Sequence, residues 1–296
     1  MALEGVGIWS AELRFHKDRE AIPAAAAELE ELGYSALFVP GGPGGNVLGA
    51  AGRLLEATEL VTVATGVLNV WAYEPADVAA GVHQLREAHG DRFLLGLGIS
   101  HSKTVDKDEP GRYRKPLAKM HEVLDGLDAA PDPVPVSGRA LAALGPRMLE
   151  LAAMRAAGAH PYLVTPKHTA TARDALGRDA ILAPEQAVLL DPDPESARRK
   201  AREHLERYLP LPNYANNMLR EGFEESDLAA GGSDRLIDGL VAWGDEAAIA
   251  TRVAEHLSAG ASHVCIQVVG EAPGALPLDT WRALAPALRQ LERVGA

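Results

Sequence analysis

Polar and aromatic residues stand directly after apolar runs along this chain, where an enzyme built on parallel strands would keep its chemistry. The run Phe93-Leu-Leu-Gly-Leu-Gly-Ile-Ser100 ends in His101, an imidazole able to give or take a proton near neutral pH, and His101 is the expected acid or base. Val61-Thr-Val-Ala-Thr-Gly-Val-Leu-Asn-Val-Trp71 begins β-branched and apolar, then delivers Asn69, Trp71 and, two residues on, Tyr73. Gly66 inside it predicts a bend or bulge. Glu12 and His16 follow the first run. Glu12 is expected in the site, whereas His16 opens the charged stretch His-Lys-Asp-Arg-Glu20, which reads as a solvated helix start. Trp9, Trp71 and Tyr73 could wall a planar ring.

A second group of residues suits an anion. Gly145-Pro146 leaves free amides at a helix start. Val164-Thr-Pro-Lys-His168 adds the hydroxyl of Thr165 and the cation of Lys167 at the next one, so these residues sketch a phosphate cradle. Glu185 and Gln186 lie near the seventh run. No metal is expected, because the ten histidines are scattered and never form a zinc helix pair. Neither a nucleophile elbow nor a phosphate-loop lysine is present. Gly41-Gly-Pro-Gly-Gly45 lacks dinucleotide spacing, and its proline removes a backbone donor.

Positioning such residues requires strands that end together. Short apolar runs alternate with amphipathic stretches: Gly5–Ala11, Ala36–Pro40, Leu60–Val70, Phe93–Ser100, Arg139–Leu144, Tyr162–Thr165, Ala187–Leu190 and His263–Val269 read as strands. Helices are predicted over Arg19–Leu32, Leu48–Ala57, Pro75–His89, Lys115–Leu127, Pro146–Ala157, His168–Leu176, Pro194–Tyr208 and Leu278–Val294. Equal numbers of each predict one closed α/β barrel of the TIM type over residues 1–296. An open doubly wound sheet would show a glycine-rich turn with an acidic residue about 20 positions later, and none is found. Leu209–Gly244 is read as a helical insertion, followed by a helix over Asp245–Ser258 before the last strand.

Composition bounds the partners. The 296 residues are 47% hydrophobic and carry a formal charge of −12, which argues against nucleic acid and anionic membrane surfaces and for a small-molecule substrate. Cys265 is the only cysteine, so no disulfide framework exists, and its apolar surroundings predict an inert thiol. The first residues form no basic-then-apolar leader, and a cytoplasmic location is expected.

Gly7-Ile-Trp9, Leu32-Gly-Tyr-Ser-Ala-Leu-Phe38, Ala64-Thr-Gly-Val-Leu68, Phe93-Leu-Leu-Gly-Leu-Gly98 and Ala143-Leu-Gly-Pro146 together resemble the bacterial luciferase-like superfamily. His160-Pro-Tyr-Leu-Val-Thr-Pro166, Ala183-Pro-Glu-Gln186 and Leu211-Pro-Asn-Tyr214 resemble its deazaflavin branch, which uses coenzyme F420. The resemblance implies a TIM barrel with an isoalloxazine-like ring across the strand ends, backed by a strand-three bulge whose non-prolyl cis peptide would fall at Gly66-Val67. It further implies cofactor contacts at Gly66, Val67, Leu68, Asn69, Gly98 and Ser100, with the phosphate near Gly145, Thr165 and Lys167. A homodimer is implied as well, for which the alanine-rich helix Ala21–Leu32 is suited.

Two departures matter. Many relatives carry an acidic residue and histidine after strand two, whereas this chain has Val39-Pro-Gly-Gly42; and His101 stands where sugar-phosphate dehydrogenases of the family are acidic. The expected activity is hydride transfer between F420 and a small organic substrate. The alternatives are an FMN monooxygenase fed by a partner reductase, or a cofactor-binding homologue without turnover.

Overall fold

A computed structural model describes residues 3–42, 44–107 and 109–294. Ten parallel strands form one sheet: β1 Gly5–Trp9, β2 Ala36–Gly41, β3 Thr62–Asn69, β4 Phe93–Gly98, β5 Arg139–Leu141, β6 Gly158–Ala159, β7 Ile181–Leu182, β8 Glu185–Leu190, β9 Val241–Gly244 and β10 His263–Val268. Their spatial order is β7-β6-β5-β4-β3-β2-β1-β10-β8-β9. The order closes on itself, because β7, at one end, and β8, next to the other end, are halves of one strand interrupted at Ala183-Pro184. β7 pairs with β6, β8 pairs with β10, and the Glu185 amide still donates to Pro161 on the β6 side. The sheet is therefore a closed TIM-type barrel.

Helices cover it: α1 Glu12–Phe15, α2 Ala21–Glu31, α3 Val47–Glu56, α4 Pro75–His89, α5 Ser102–Val105, α6 Pro116–Asp128, α7 Pro146–Arg155, α8 Pro166–Leu176, α9 Pro194–Leu205, α10 Pro212–Glu221, α11 Glu225–Leu228, α12 Asp234–Leu240, α13 Glu246–Ser258 and α14 Leu278–Val294. Proline stands at the first turn of α4, α6, α7, α8, α9 and α10, where its missing N–H has no helical partner to lose. Side chains of Asn46, Thr165, Asp193, Ser233 and Asp245 cap α3, α8, α9, α12 and α13.

Two apolar layers follow from the strand alternation. Val6, Ile8, Leu37, Val39, Val63, Leu95 and Leu97 join the buried layer shared with the helices. Trp9, Ala36, Phe38, Ala64, Leu94 and Ala140 form a second cluster, the small residues leaving room for Trp9 and Phe38. Cys265 belongs to that second cluster, fully buried and unpaired, and burial raises its thiol well above the ordinary range, as an inert thiol requires.

The pairing of β3 with its neighbours is irregular at one place. Between Ala64 and Leu68, β3 advances four residues while β4 advances three, from Leu94 to Leu97, and β2 likewise falls one short between Val39 and Gly41. The extra residue is a bulge, and the Gly66-Val67 peptide within it is cis, as the resemblance implied. Glycines on both neighbouring strands make space. A Cβ on Gly41 would lie 2.4 Å from the Val67 carbonyl oxygen, one on Gly96 1.9 Å from the Thr65 carbonyl oxygen, and one on Gly98 2.3 Å from the Val67 side chain.

Three sequence expectations need correcting. The sixth strand is Gly158–Ala159, not Tyr162–Thr165; the later segment is irregular because Leu163 takes a left-handed backbone (φ 58°) held by Glu185. The seventh strand starts earlier, at Ile181, and breaks where Pro184 offers no N–H to the ladder. The insertion is helical through α10, α11 and α12 but ends in β9, which pairs with β8 through Ala187–Leu190. Val241-Ala-Trp-Gly244 is too short to show alternation.

Replacing Gly96 by alanine should lower stability by about 3 kcal/mol or more, since the new methyl meets backbone rather than a movable side chain. Gly52→Ala in α3, where a Cβ meets only Leu85 Cδ2 at 3.3 Å, should stay within about 1 kcal/mol of the parent. Thermal unfolding of both variants checks this; equal stability would remove the steric account of the bulge.

Candidate active site

A cavity of about 530 Å³ opens at the C-terminal ends of the strands. Its floor is the bulge: Gly66 and Val67 face it, with Gly41 and Gly98 flanking and Gly145 at the start of α7. The absence of side chains at these glycines leaves a flat shelf. The indole of Trp9 donates to the Gly66 carbonyl oxygen at 2.8 Å, which fixes both the bulge and the wall beside it. The insertion supplies the facing wall through Asn213, Tyr214, Asn216 and Arg220 of α10, together with Tyr208.

Aromatic rings dominate the walls. Tyr162 lies 5.6 Å from Trp9, 5.5 Å from Tyr208 and 6.2 Å from Tyr214, and His101 lies 5.2 Å from Tyr214. The Tyr162 hydroxyl donates to Gln267 at 2.7 Å and meets the Tyr208 hydroxyl at 2.9 Å. Having given its single proton to Gln267, Tyr162 must accept from Tyr208.

Among the described residues no carboxylate lines the cavity, and Arg220 is the one permanent charge on it. That guanidinium lies beside Gly145, 3.7 Å from where a Cβ would stand, and donates to Asn217. His101 follows Ser100, whose left-handed backbone (φ 55°) turns the chain into α5. Its Nδ1 is buried without a partner among the described residues, and burial lowers its pKa, so the ring is neutral near pH 7 and free to take a proton. His160, after β6, has 2% of its surface exposed and is pushed down to about 4 by burial.

The sequence-predicted residues divide into three groups. Trp9, Gly66, Val67, Gly98, Ser100, His101 and Gly145 line the cavity. Asn69, Trp71 and Tyr73 stand behind it: Asn69 accepts from the Trp71 amide, and the Trp71 indole donates to the Ile99 carbonyl oxygen and lies 5.8 Å from Tyr113. Trp71 thus braces two lining residues, Ile99 and Tyr113, while Tyr73 contacts the core.

Leu68, Glu12, Thr165 and Lys167 lie off the lining. Leu68 is buried in the strand–helix layer because alternation resumes after the bulge. Glu12 turns back to the Ser10 hydroxyl at 3.1 Å. Thr165 caps α8 and donates to Glu221, and the Lys167 ammonium donates to the Glu221 carbonyl oxygen at 2.7 Å. Glu221, at the end of α10, therefore occupies the hydrogen-bonding groups assigned to a phosphate.

Arg220, His160 and the tyrosines were missed as site residues. Asn213, Asn216 and Arg220 recur at helical spacing inside Pro212–Glu221, a polar stripe that could have marked a site-facing helix. The Gly41–Gly45 loop presents carbonyls rather than amides: buried Arg14 donates to Pro40, Gly42, Gly44 and Gly45. Among the described residues no group of His, Cys, Asp or Glu is placed to hold a metal ion, and no helix is long and apolar enough to cross a membrane.

Residues 9–263 match the family model described as luciferase-like monooxygenase. A protein of Mycobacterium tuberculosis named as a coenzyme F420-dependent oxidoreductase is 28% identical over 120 residues, spanning 40% of this chain and 33% of that protein. In overall fold the chain is similar to an F420-dependent secondary alcohol dehydrogenase in complex with an F420-acetone adduct (TM-score 0.74, 14% identity, 97% of this chain and 99% of that one). It is also similar to the coenzyme F420-dependent tetrahydromethanopterin reductase of Methanopyrus kandleri (0.68, 17%, 96% and 97%). The oxygenating constituent of 3,6-diketocamphane monooxygenase from Pseudomonas putida, in complex with FMN, aligns as well (0.68, 12%, 97% and 97%).

Glu185 beneath the site is 1% exposed; its Oε2 accepts the Leu163 amide at 3.1 Å and its Oε1 has no partner among the described residues. Burial pushes its pKa up to about 8. The folded state then keeps a proton that the unfolded chain releases above about pH 4.3, so this group's contribution to stability falls from there up to about pH 8. Glu185→Gln should gain stability relative to the parent by an amount that grows between pH 5 and pH 8. Parallel thermal melts read this difference; a constant gap would refute it.

Proposed function

We propose that this chain, which belongs to the luciferase-like monooxygenase family, is a coenzyme F420-dependent oxidoreductase that moves a hydride between the deazaflavin and a small organic substrate. The observation that carries the reading is the cavity: a glycine-rich shelf on the β3 bulge, aromatic walls, one arginine and an imidazole whose Nδ1 has no partner among the described residues. These features fit a flat tricyclic ring with an anionic tail. When bound, F420 supplies two-electron hydride chemistry and reacts poorly with oxygen.

The residues divide the remaining work. Gly66 and Val67 support a planar ligand, while Trp9 and Tyr162 limit its sideways freedom. Arg220 and the free amides at the start of α7 hold a phosphate, in place of Thr165 and Lys167, which Glu221 engages. His101, neutral and partly buried, accepts the hydroxyl proton when the substrate is oxidised and returns it when the substrate is reduced. Among the described residues no carboxylate is on the lining, which suits neutral substrates and leaves proton transfer to the imidazole.

FMN-dependent oxygenation is the second reading, favoured by the FMN-bound neighbour, whose TM-score equals that of the methanopterin reductase. Titration with F420 and with FMN, read through quenching of tryptophan fluorescence, separates the two. Selective F420 binding is expected, and FMN preference would shift the assignment to the monooxygenase. His101→Ala should lower the single-turnover rate of hydride transfer about 10²- to 10⁴-fold with F420 affinity within about threefold. In the oxidative direction the parent rate should rise with pH through a value below the ordinary imidazole pKa of about 6.5 and then level off. An unchanged rate in the variant would end the role of His101.

A further inference from the structure

His160 has one nitrogen committed and one free. Its Nδ1 lies 2.6 Å from the Ala183 carbonyl oxygen. A carbonyl can only accept, so Nδ1 bears the proton and Nε2 keeps a bare lone pair. The ring is 2% exposed and packs tilted against Phe38, centroids 4.6 Å apart, so it is not free to turn Nε2 toward another protein partner. None is present among the described residues.

The free nitrogen faces the shelf. A Cβ on Gly66 would lie 3.1 Å from His160 Nε2 and 2.6 Å from the Trp9 indole nitrogen, so only glycine fits beside them, and both Gly66 and His160 border the cavity. The Trp9 donor is already used by the Gly66 carbonyl oxygen, which makes His160 the unspent polar group at the bulge. A buried acceptor left unmatched costs about 1–3 kcal/mol, a cost that a ligand donor removes. Among the described residues no carboxylate lines the cavity to accompany a cation, which favours a neutral donor.

A planar ligand resting on Gly66 and Val67 brings its inner edge to this nitrogen. In their oxidised forms both the deazaflavin and the flavin ring carry one edge N–H, that of the imide. We infer that His160 Nε2 accepts a hydrogen bond from the ring imide N–H of the cofactor, and that this contact sets which edge of the ring enters the barrel. The inference rests on the cofactor reading above, in either its F420 or its FMN form. The histidine is neither proton donor nor base here; its role is recognition.

The test compares coenzyme F420, or FMN if that is the ring bound, with the same molecule methylated at the imide nitrogen. Fluorescence titrations are run on the parent protein and on His160→Ala, with folding checked by circular dichroism. Should the alanine cavity prevent folding, His160→Leu replaces it. The parent protein should bind the methylated ring at least about tenfold more weakly than the natural one. In the variant, natural-ring affinity should fall about tenfold and the two rings should bind within about threefold of each other. A methylation penalty of equal size in both proteins, or an unaltered affinity of the variant for the natural ring, overturns the assignment. Binding of neither ring by the parent protein would take down the functional reading together with it.

Discussion

One extra residue in β3 is the constraint on which the rest of the site depends. A parallel ladder transmits register from strand to strand, so four residues of β3 opposite three of β4 cannot be absorbed locally. The neighbours accommodate it by having no side chains at Gly41, Gly96 and Gly98. Trp9, two strands away, anchors the displaced carbonyl of Gly66 through its indole. The same event that interrupts the hydrogen bonding of the sheet produces the flat shelf of the cavity.

Around that shelf the barrel interior is polar but almost uncharged. Burial lowers His160 and His263 to about 4 and raises Glu185 to about 8, so all three are neutral near pH 7. Among the described residues, the charge on the cavity lining is that of Arg220, beside the start of α7. An interior of this kind binds a ring through shape and single hydrogen bonds, and reserves electrostatic attraction for an anionic tail.

The barrel alone is incomplete as a site. The wall facing the shelf comes from α10 and from Tyr208, inside or beside the insertion, and Asn213 donates back to the Ser100 carbonyl oxygen. Glu221 ties the end of the same helix to Thr165 and Lys167. The insertion is thereby fixed to α8 at one end and leaves Arg220 aimed at the cavity. β9 anchors its far end by pairing with β8.

The barrel class, most strand positions, the bulge at Gly66 and the placement of His101, Trp9 and Gly145 were legible from local pattern, because apolar runs, proline starts and glycine positions report on the backbone of their own segment. Local pattern did not reveal that Ile181–Leu182 and Glu185–Leu190 are one broken strand, nor that Val241–Gly244 is a strand at all. It also assigned Thr165 and Lys167 to a ligand that Glu221, 54 residues beyond Lys167, forestalls. His160 illustrates the division: its type and position could be read directly, but its free nitrogen follows from Ala183, Gly66 and Phe38, which lie on three other segments. Backbone preference acts between near neighbours in the chain, so the sequence by itself determined the elements and their polar ends. Hydrogen-bond satisfaction and steric clearance act between segments that only the closed barrel brings together, and the tertiary structure alone decided which of those polar ends face the cavity.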